Sequence, residues 1–324
     1  MAGSGVRGGA GRGGNPKARP RTARASRRHA FKNPAKADFT PKLQALRDRL
    51  VEGTREVSTY FQFTASGMPV EIQGAQTGAE KAFSERLISG IREIAQTAPQ
   101  EERAVLHSQA FKFLGGIEPS LLPESHFNTG AFGPFKSHKS RGIGIARQAI
   151  SSGAKNARLY CLKMLAGLPK RAAQYASVNP FEPEILESRL LPEVSDAVRK
   201  ALNEQKIPFI KIRSHKWSDR ELGAIKAKAR AHAMFAFREM LDETHPERVP
   251  ELLKGIIEAC SRKKTQKPFE EEFFDYWRKN YGSEEGFHRS PLEAAAIEAR
   301  DTLRREVQLQ IEIMPGRRSG EANQ

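Results

Sequence analysis

Two cysteines and the lack of any long apolar run set the first limits on this chain of 324 residues. Cys161 and Cys260 occur without a Cys-x-x-Cys motif or a Cys/His cluster, which excludes a disulfide framework and a cysteine-based zinc site. We expect both thiols to be buried or half-buried in a protein of a reducing compartment. No apolar run reaches the roughly 18 residues of a bilayer span, and no apolar block follows the basic N-terminus as in a secretory signal. The sequence therefore predicts an intracellular protein, in the cytoplasm or nucleus, without a membrane span, and leaves secretion into a host cell open.

Acidic residues are absent from positions 125–181, a stretch that holds nine Lys and Arg. The whole chain carries 54 Lys and Arg against 38 Asp and Glu, a net charge of +16, and this charge is segregated. Residues 1–40 hold ten cations and one acid (+9), and residues 125–230 hold twenty cations and eight acids (+12), so the remainder is nearly neutral. Segregated positive charge is typical of a surface that faces a polyanion.

The motifs of several enzyme classes are missing as well. The sequence contains no Gly-x-x-x-x-Gly-Lys-Ser/Thr, no His-Glu-x-x-His and no Gly-x-Ser-x-Gly. "GIGIAR" fails as a dinucleotide fingerprint, since Arg147 stands at the third glycine and no acid follows before Glu182. The acidic segment 269–277 is interpreted as a solvated helix face, because a metal site needs carboxylates that converge with other ligands. We assign no catalytic residue and predict neither a metal nor a cofactor.

Periodic apolar residues predict an α-dominant α+β fold: a helical body with a small sheet or hairpin, preceded by a disordered basic N-terminal arm. Residues 1–38 form that Arg/Gly-rich arm, because they lack a periodic apolar pattern and cannot offset the entropy of ordering. Residues 39–314 form the helix-rich globular body, with a division near 115–141 left open, and residues 315–324 form a flexible C-terminal tail.

Turn and cap residues place the individual elements. Strands are expected in a hairpin within 58–73, at 207–213 ("IPFIKIR") and in the alternating segment 306–314 ("EVQLQIEIM"), for which a helix is the alternative. Ser218 and Glu221 form a predicted capping box. The predicted helices cover 41–53, 78–97, 99–116, 142–152, 155–166, 170–177, 183–204, 218–242, 248–261, 268–280 and a last helix from Pro291, capped by Ser290.

The acid-free segment is the candidate binding surface. Its cations have no competing carboxylate close by in the sequence, and aromatic residues such as Tyr160 and Tyr175 are interleaved with them. This composition suits phosphate contacts and base stacking. The alternative is a solvated basic face whose aromatic residues belong to the core. The candidate residues are Lys136, His138, Lys139, Arg141, Arg147, Lys155, Arg158, Lys163, Lys170 and Arg171.

One local pattern within this segment predicts an anion site at a helix N-terminus. In "KSHKSRGIGIARQAI", Ser140 can cap a helix that starts near Arg141, leaving free amides beside several cations. Gly142 and Gly144 would let a phosphate approach the backbone there. The alternative is that these glycines only permit close helix packing.

A second local pattern, in residues 158–180, is helix–Gly–helix. A helix-turn-helix at this place would present Lys170 and Arg171 early in its second helix. Because short helix pairs with a glycine turn are common, ordinary helix packing is the alternative.

A second basic cluster follows further along the chain. Lys211 and Arg213 share one face of the strand predicted there, and Lys216 stands next to Trp217. Trp217 is either a stacking platform for a base or a hydrophobic staple that packs on Leu222. We include the three cations among the candidate binding residues.

The N-terminal arm adds further cations. Its segment 6–14, "VRGGAGRGG", holds two Arg-Gly-Gly triplets, which suit RNA contact and serve equally in a flexible tether. The arm residues expected to contact phosphates are Arg7, Arg12, Arg19, Arg21, Arg24, Arg27 and Arg28.

Arm and internal block together favour a nucleic-acid-binding protein. RNA or single strands are favoured, because aromatic residues accompany the cations and the arm carries Arg-Gly-Gly units. A packaging or nucleocapsid-like role is one version of this function. Two alternatives stay open: an enzyme acting on an anionic substrate, such as a translocated effector or toxin, and an interaction or scaffold protein with a basic targeting tail. The sequence predicts neither base specificity nor an oligomeric state.

Overall fold

The structure, a computed structural model, describes residues 37–117, 136–205, 217–261, 269–281 and 289–320. These residues form ten α-helices and one two-stranded antiparallel sheet, which confirms the predicted α-dominant α+β class. Residues 1–36 of the predicted arm and the strand predicted at 207–213 lie outside the described residues.

Helix α2 shows how the apolar pattern forms the first half of the described chain. Its residues Phe83, Leu87 and Ile91 recur at intervals of four and are all buried, as predicted. In chain order the elements are α1 (Thr40–Glu52), a 3-10 helix (Gly53–Tyr60), β1 (Phe61–Phe63), β2 (Pro69–Glu71), α2 (Ala75–Thr97), a 3-10 turn (Gln100–Glu102), α3 (Arg103–Gly115) and α4 (Lys136–Ala166).

The predicted hairpin is confirmed as β1 and β2. The two strands pair antiparallel with Phe61 opposite Glu71, and Phe61 is buried. Gly67 lies in the connecting turn with a φ of 77°, a conformation that glycine adopts without steric cost.

The second half of the described chain is helical throughout. The predicted capping box opens α7: Ser218 N donates to Glu221 Oε2 at 2.9 Å, and Glu221 N donates to Ser218 Oγ at 3.3 Å. Trp217 is half-buried against the core, which supports the staple rather than an open stacking platform. The elements are α5 (Lys170–Ala173), α6 (Pro183–Glu204), α7 (Asp219–Glu243), a 3-10 helix (Pro246–Arg248), α8 (Val249–Cys260), α9 (Phe269–Tyr281) and α10 (Arg289–Gly320).

Helix α4 takes part in both main apolar cores of the described chain. Helices α1–α4 form the first core, which includes Cys161, and helices α6–α10 form the second, which Ala166 joins at the end of α4. Arg248 Nη1 donates to the carbonyl of Leu165 at 2.7 Å, and the backbone N of His245 donates to that of Ala166 at 3.0 Å. These bonds satisfy acceptors that a helix end leaves free. They fasten the end of α4 to the second half of the chain.

Helix α4 is one continuous helix, so the two predicted helices at 142–152 and 155–166 are wrong in their number. The predicted break fell at Gly153, which lies inside α4 instead. A Cβ at Gly153 would come within 3.2 Å of both Phe83 Cβ and Ser84 N of α2. The glycine therefore allows close packing of two helices and does not end one.

The strand predicted at 306–314 is also wrong, because α10 continues through it to Gly320. Leu303 and Val307 are fully buried and extend the buried row of α10, whereas Leu309 and Ile313 are 51% and 56% exposed. An established helix extends at little cost, and no neighbouring strand exists among the described residues to pair with this segment. Helix α10 also begins at Arg289, so Ser290 lies within it and is not its cap.

At Gly255 of α8 the second core leaves no room for a side chain. A Cβ there would collide with the backbone carbonyl of Phe181, so we expect Gly255→Ala to lower the free energy of unfolding by about 1–3 kcal/mol. Gly223→Ala is the matched control, because a Cβ at that position of α7 meets no atom within 4 Å. It should raise stability, by up to about 1 kcal/mol. Urea denaturation measures both, and equal effects of the two changes would contradict the assignment.

Candidate nucleic-acid interface

Helix α4 carries the predicted binding residues on a surface without acids. Between Lys136 and Ala166 the sequence contains no Asp or Glu. Positions 141, 144, 148, 151 and 155 recur every three or four residues, which places them on one side of the helix, and all five are exposed. The opposite side is buried through small or aliphatic residues, including Ala146, Ala149 and Ile150.

Two cations in the middle of α4 are exposed and free of carboxylate partners. Arg147 and Lys155 form no ion pair with any described residue. One cation near each end of α4 is paired: Arg141 forms an ion pair with Glu71 of β2, and Lys163 Nζ lies 2.7 Å from Glu243 Oε1 of α7. We call Arg147 and Lys155 with the exposed residues around them the α4 surface.

A groove of about 460 Å³ adjoins this surface, between α4, α6 and α7. Three predicted residues, Lys155, Arg158 and Lys163, line it together with Arg189 of α6, which the sequence analysis missed. Its other lining residues include Phe111, Asn156, Ser188, Glu193 and Glu239. The groove is therefore of mixed charge with an excess of cations, and we call it the central groove.

Arg158 is held in the central groove by an aromatic ring. Its guanidinium carbon lies 4.3 Å from the ring centroid of Phe111, within the range of a cation–π contact. Its Nε is buried and has no hydrogen-bond partner among the described residues. Arg158 thus adds a charge without a carboxylate partner to the lining of the groove.

The carboxylate of Glu243 neutralises part of the charge at this place. It accepts from Arg189 Nη2 at 2.6 Å and pairs with Lys163 Nζ at 2.7 Å, and its side chain is mostly buried. Two of the four cations that line the groove are thereby compensated, which leaves Lys155 and Arg158 available to a ligand anion.

The anion site predicted at a helix N-terminus is wrong. Ser140 lies inside α4, which begins at Lys136, so it does not cap a helix at Arg141. The amides after it are within the helix, where they bond to carbonyls of the preceding turn. Gly142 is buried and cannot admit a phosphate. His138 and Lys139 are half-buried in this first part of α4.

The predicted helix-turn-helix is wrong too. The second helix, α5, contains only four residues, which is too short to act as a recognition helix. Lys170 and Arg171 are exposed on it, after the turn at Gly167. The backbone N of Lys170 donates to Glu247 Oε2 at 3.1 Å. The three predicted cations Lys211, Arg213 and Lys216 lie outside the described residues, as do all the predicted arm residues.

Both cysteines are buried, as predicted, and both are free. Burial raises the pKa of Cys161 and of Cys260 to about 12. Each thiol is therefore protonated near neutral pH and does not provide a thiolate nucleophile.

The acidic helix α9 departs from the predicted solvated face at one residue. Glu270 is buried and pairs with Arg300 of α10, whereas Glu271 is exposed. Among the described residues no three His, Cys, Asp or Glu side chains converge as metal ligands do. Nor does any helix of the described ranges combine the length and apolar character needed to cross a bilayer.

No family model, curated protein or solved structure matches the chain. The α4 surface and the central groove are the features that favour a binding site. Arg189 could not be found from local sequence, because it stands in an acid-containing helix and its partner Glu243 is 54 positions away.

We predict that the contacts of Glu243 contribute measurably to the free energy of unfolding. Glu243→Gln leaves Lys163 and Arg189 without their shared carboxylate, and we expect the free energy of unfolding to fall by about 1–3 kcal/mol. Glu258→Gln is the control, because Glu258 pairs with Lys254 on the exposed surface of α8, where a pair contributes less than about 1 kcal/mol. Chemical denaturation compares the two variants. A loss in Glu243→Gln no larger than in Glu258→Gln would contradict the role given to this carboxylate.

Proposed function

We propose that the protein binds nucleic acid, with RNA or a single strand as the favoured ligand. The observation that carries the proposal is the α4 surface: an acid-free helix of 31 residues with two exposed cations that no described carboxylate neutralises. The net charge of +16 adds a long-range attraction for a polyanion.

The spacing on α4 suits a phosphate backbone. Arg147 and Lys155 are eight positions apart, which corresponds to about 12 Å along a helix axis. A nucleic-acid strand carries one charge for about every 3.4 Å of its helix axis, so both cations can contact phosphates of one strand. Gly144 and Ser151 on the same side have small side chains that leave room for the backbone.

The central groove favours a single strand over a duplex. A cavity of about 460 Å³ has the size of a small-molecule site and can receive one unstacked base, whereas a duplex keeps its bases paired. Arg158 stacked on Phe111 supplies a planar cation at its wall, and Asn156 and Ser188 supply hydrogen-bonding groups. A packaging or nucleocapsid-like role is a version of this proposal in which many copies cover one strand.

The first test concerns the α4 surface. Arg147→Gln/Lys155→Gln should weaken binding of a single-stranded RNA and lower the slope of log K against log salt by about 1.4, since two phosphate contacts are lost. Fluorescence anisotropy over a salt series measures affinity and slope together.

The matched control removes two cations from α1. Lys42 and Arg49 are exposed and form no ion pair with a described carboxylate, so Lys42→Gln/Arg49→Gln makes the same change in net charge. Equal losses in the two double variants would show that total charge alone matters and would overturn the role of the α4 surface. No salt-dependent binding by the unaltered protein would overturn the proposed function itself.

A second test concerns the arm. Deleting residues 1–36 removes ten cations and should reduce the salt slope by several units, up to about 7 if every cation contacts a phosphate. This boundary keeps Ala37 and Phe39, whose backbone groups bond to Gln109 at 2.8 Å, so the folded part stays intact. An unchanged slope for the shortened chain would remove the arm from the binding surface and favour the hypothesis of a basic targeting tail.

A further inference from the structure

A second cavity, of about 570 Å³, lies where α2, α3 and α4 meet. Each helix contributes residues spaced three or four apart, which places them on one face. They include Arg92 of α2, Arg103 and His107 of α3, and Tyr160, Lys163 and Met164 of α4. We call it the three-helix cavity.

A buried histidine forms part of its lining. His107 is only 4% exposed, and its Nδ1 has no hydrogen-bond partner among the described residues. Burial, with a smaller contribution from the charge of Arg103, lowers the pKa of His107 to about 4. The ring is therefore neutral at pH 7, with one nitrogen that donates and one that accepts. A buried polar atom without a partner costs free energy, which a bound ligand recovers.

Two arginines supply the charge at the solvent side of the cavity. Arg92 and Arg103 are exposed, and neither forms an ion pair with a described carboxylate. Lys163 and Glu243 also line the cavity but compensate each other at 2.7 Å. The remaining charge is that of two guanidinium groups, which matches a dianion.

The side wall is aromatic and apolar. Tyr160 is half-buried, with its ring centroid 6.0 Å from that of His107 in an edge-to-face arrangement. The guanidinium carbon of Arg92 lies 5.7 Å from the centroid of the Tyr160 ring. Met164 and Leu168 extend the apolar wall. A planar, partly apolar group fits beside such residues.

We propose that the three-helix cavity binds the phosphomonoester of a nucleotide. Arg92 and Arg103 bind the phosphate dianion, Tyr160 and its apolar neighbours contact the base, and His107 bonds to a polar atom of the nucleoside. A phosphomonoester carries close to two charges at pH 7, whereas a phosphodiester within a strand carries one. The two guanidinium groups therefore distinguish this ligand from the internal phosphates that the α4 surface is proposed to contact.

Two sources can supply this chemistry, a free mononucleotide or the terminal phosphate of a strand. Lys163 lines both the three-helix cavity and the central groove, so the two cavities are neighbours. A strand end held in the groove would therefore lie close to the cavity. The proposal stands apart from nucleic-acid binding, because a free mononucleotide needs no groove.

Calorimetric titration of the full chain with adenosine 5′-monophosphate, adenosine and inorganic phosphate tests the site. We expect the monophosphate to bind at least about tenfold more tightly than adenosine or phosphate alone. Arg92→Gln/Arg103→Gln should weaken it at least about tenfold, while Arg49→Gln on α1 leaves it unchanged. Thermal melts verify that each variant is folded, and His107→Gln, which keeps a polar group, should lose less affinity than His107→Phe.

A paired titration with 5′-phosphorylated and 5′-hydroxyl oligonucleotides identifies the source. Tighter binding of the phosphorylated strand that disappears in Arg92→Gln/Arg103→Gln assigns the cavity to strand ends. Equal binding of the two strands, with the monophosphate bound, assigns it to a free nucleotide.

Three results would overturn the proposal. The first is that the protein neither binds the monophosphate nor prefers the 5′-phosphorylated strand. The second is that Arg92→Gln/Arg103→Gln binds the monophosphate as tightly as the unaltered protein, and the third is that inorganic phosphate binds as tightly as the nucleotide. Arg147→Gln/Lys155→Gln should change strand binding and leave the monophosphate unaffected. Failure of this site and failure of the proposed function are therefore distinguishable.

Discussion

The close packing of α4 against α2 is the contact on which the rest of the structure depends. Gly153 lies against Phe83 and Ser84 with no room for a side chain, and Ala146 and Ala149 keep the buried side of α4 small. Small residues at a helix contact let two backbones approach, and dispersion and apolar burial then stabilise the pair. Because α4 is stabilised by packing, it does not need acids of its own to balance its cations.

Charge compensation on α4 comes from other elements, and this decides where positive charge remains. Glu71 of the hairpin pairs with Arg141 near the start of the helix, and Glu243 of α7 pairs with Lys163 near its end. The helix dipole also favours a negative charge, such as this carboxylate, near the first turns of a helix. The middle of α4, with Arg147 and Lys155, lies beyond the reach of both carboxylates. An acid-free sequence thus becomes a surface with a defined uncompensated centre.

Sequence reasoning succeeded where the determining contacts are local. The buried row of α2 and the Ser218–Glu221 box depend on residues three or four positions apart, and both were predicted. Prediction from the sequence failed where a partner far away in the chain determines the role of a residue. In the sequence alone, Gly153 indicates a helix break, and only its contact with α2 shows that it permits close packing. Nothing in the sequence near Arg189 indicates a binding residue, because its partner Glu243 is distant in the chain. The acid-free segment was visible in the sequence, but which of its cations are already paired was not, since Glu71 and Glu243 are far from them in the chain.

Glu243 also links the two cavities. It accepts from Lys163, which lines both, and from Arg189, which lines only the central groove. An anion that draws Lys163 towards either cavity must compete with this carboxylate, and Arg189 then remains as its partner. Because Glu243 compensates Lys163 and Arg189, the cations left uncompensated are Lys155 and Arg158 in the central groove and Arg92 and Arg103 in the three-helix cavity.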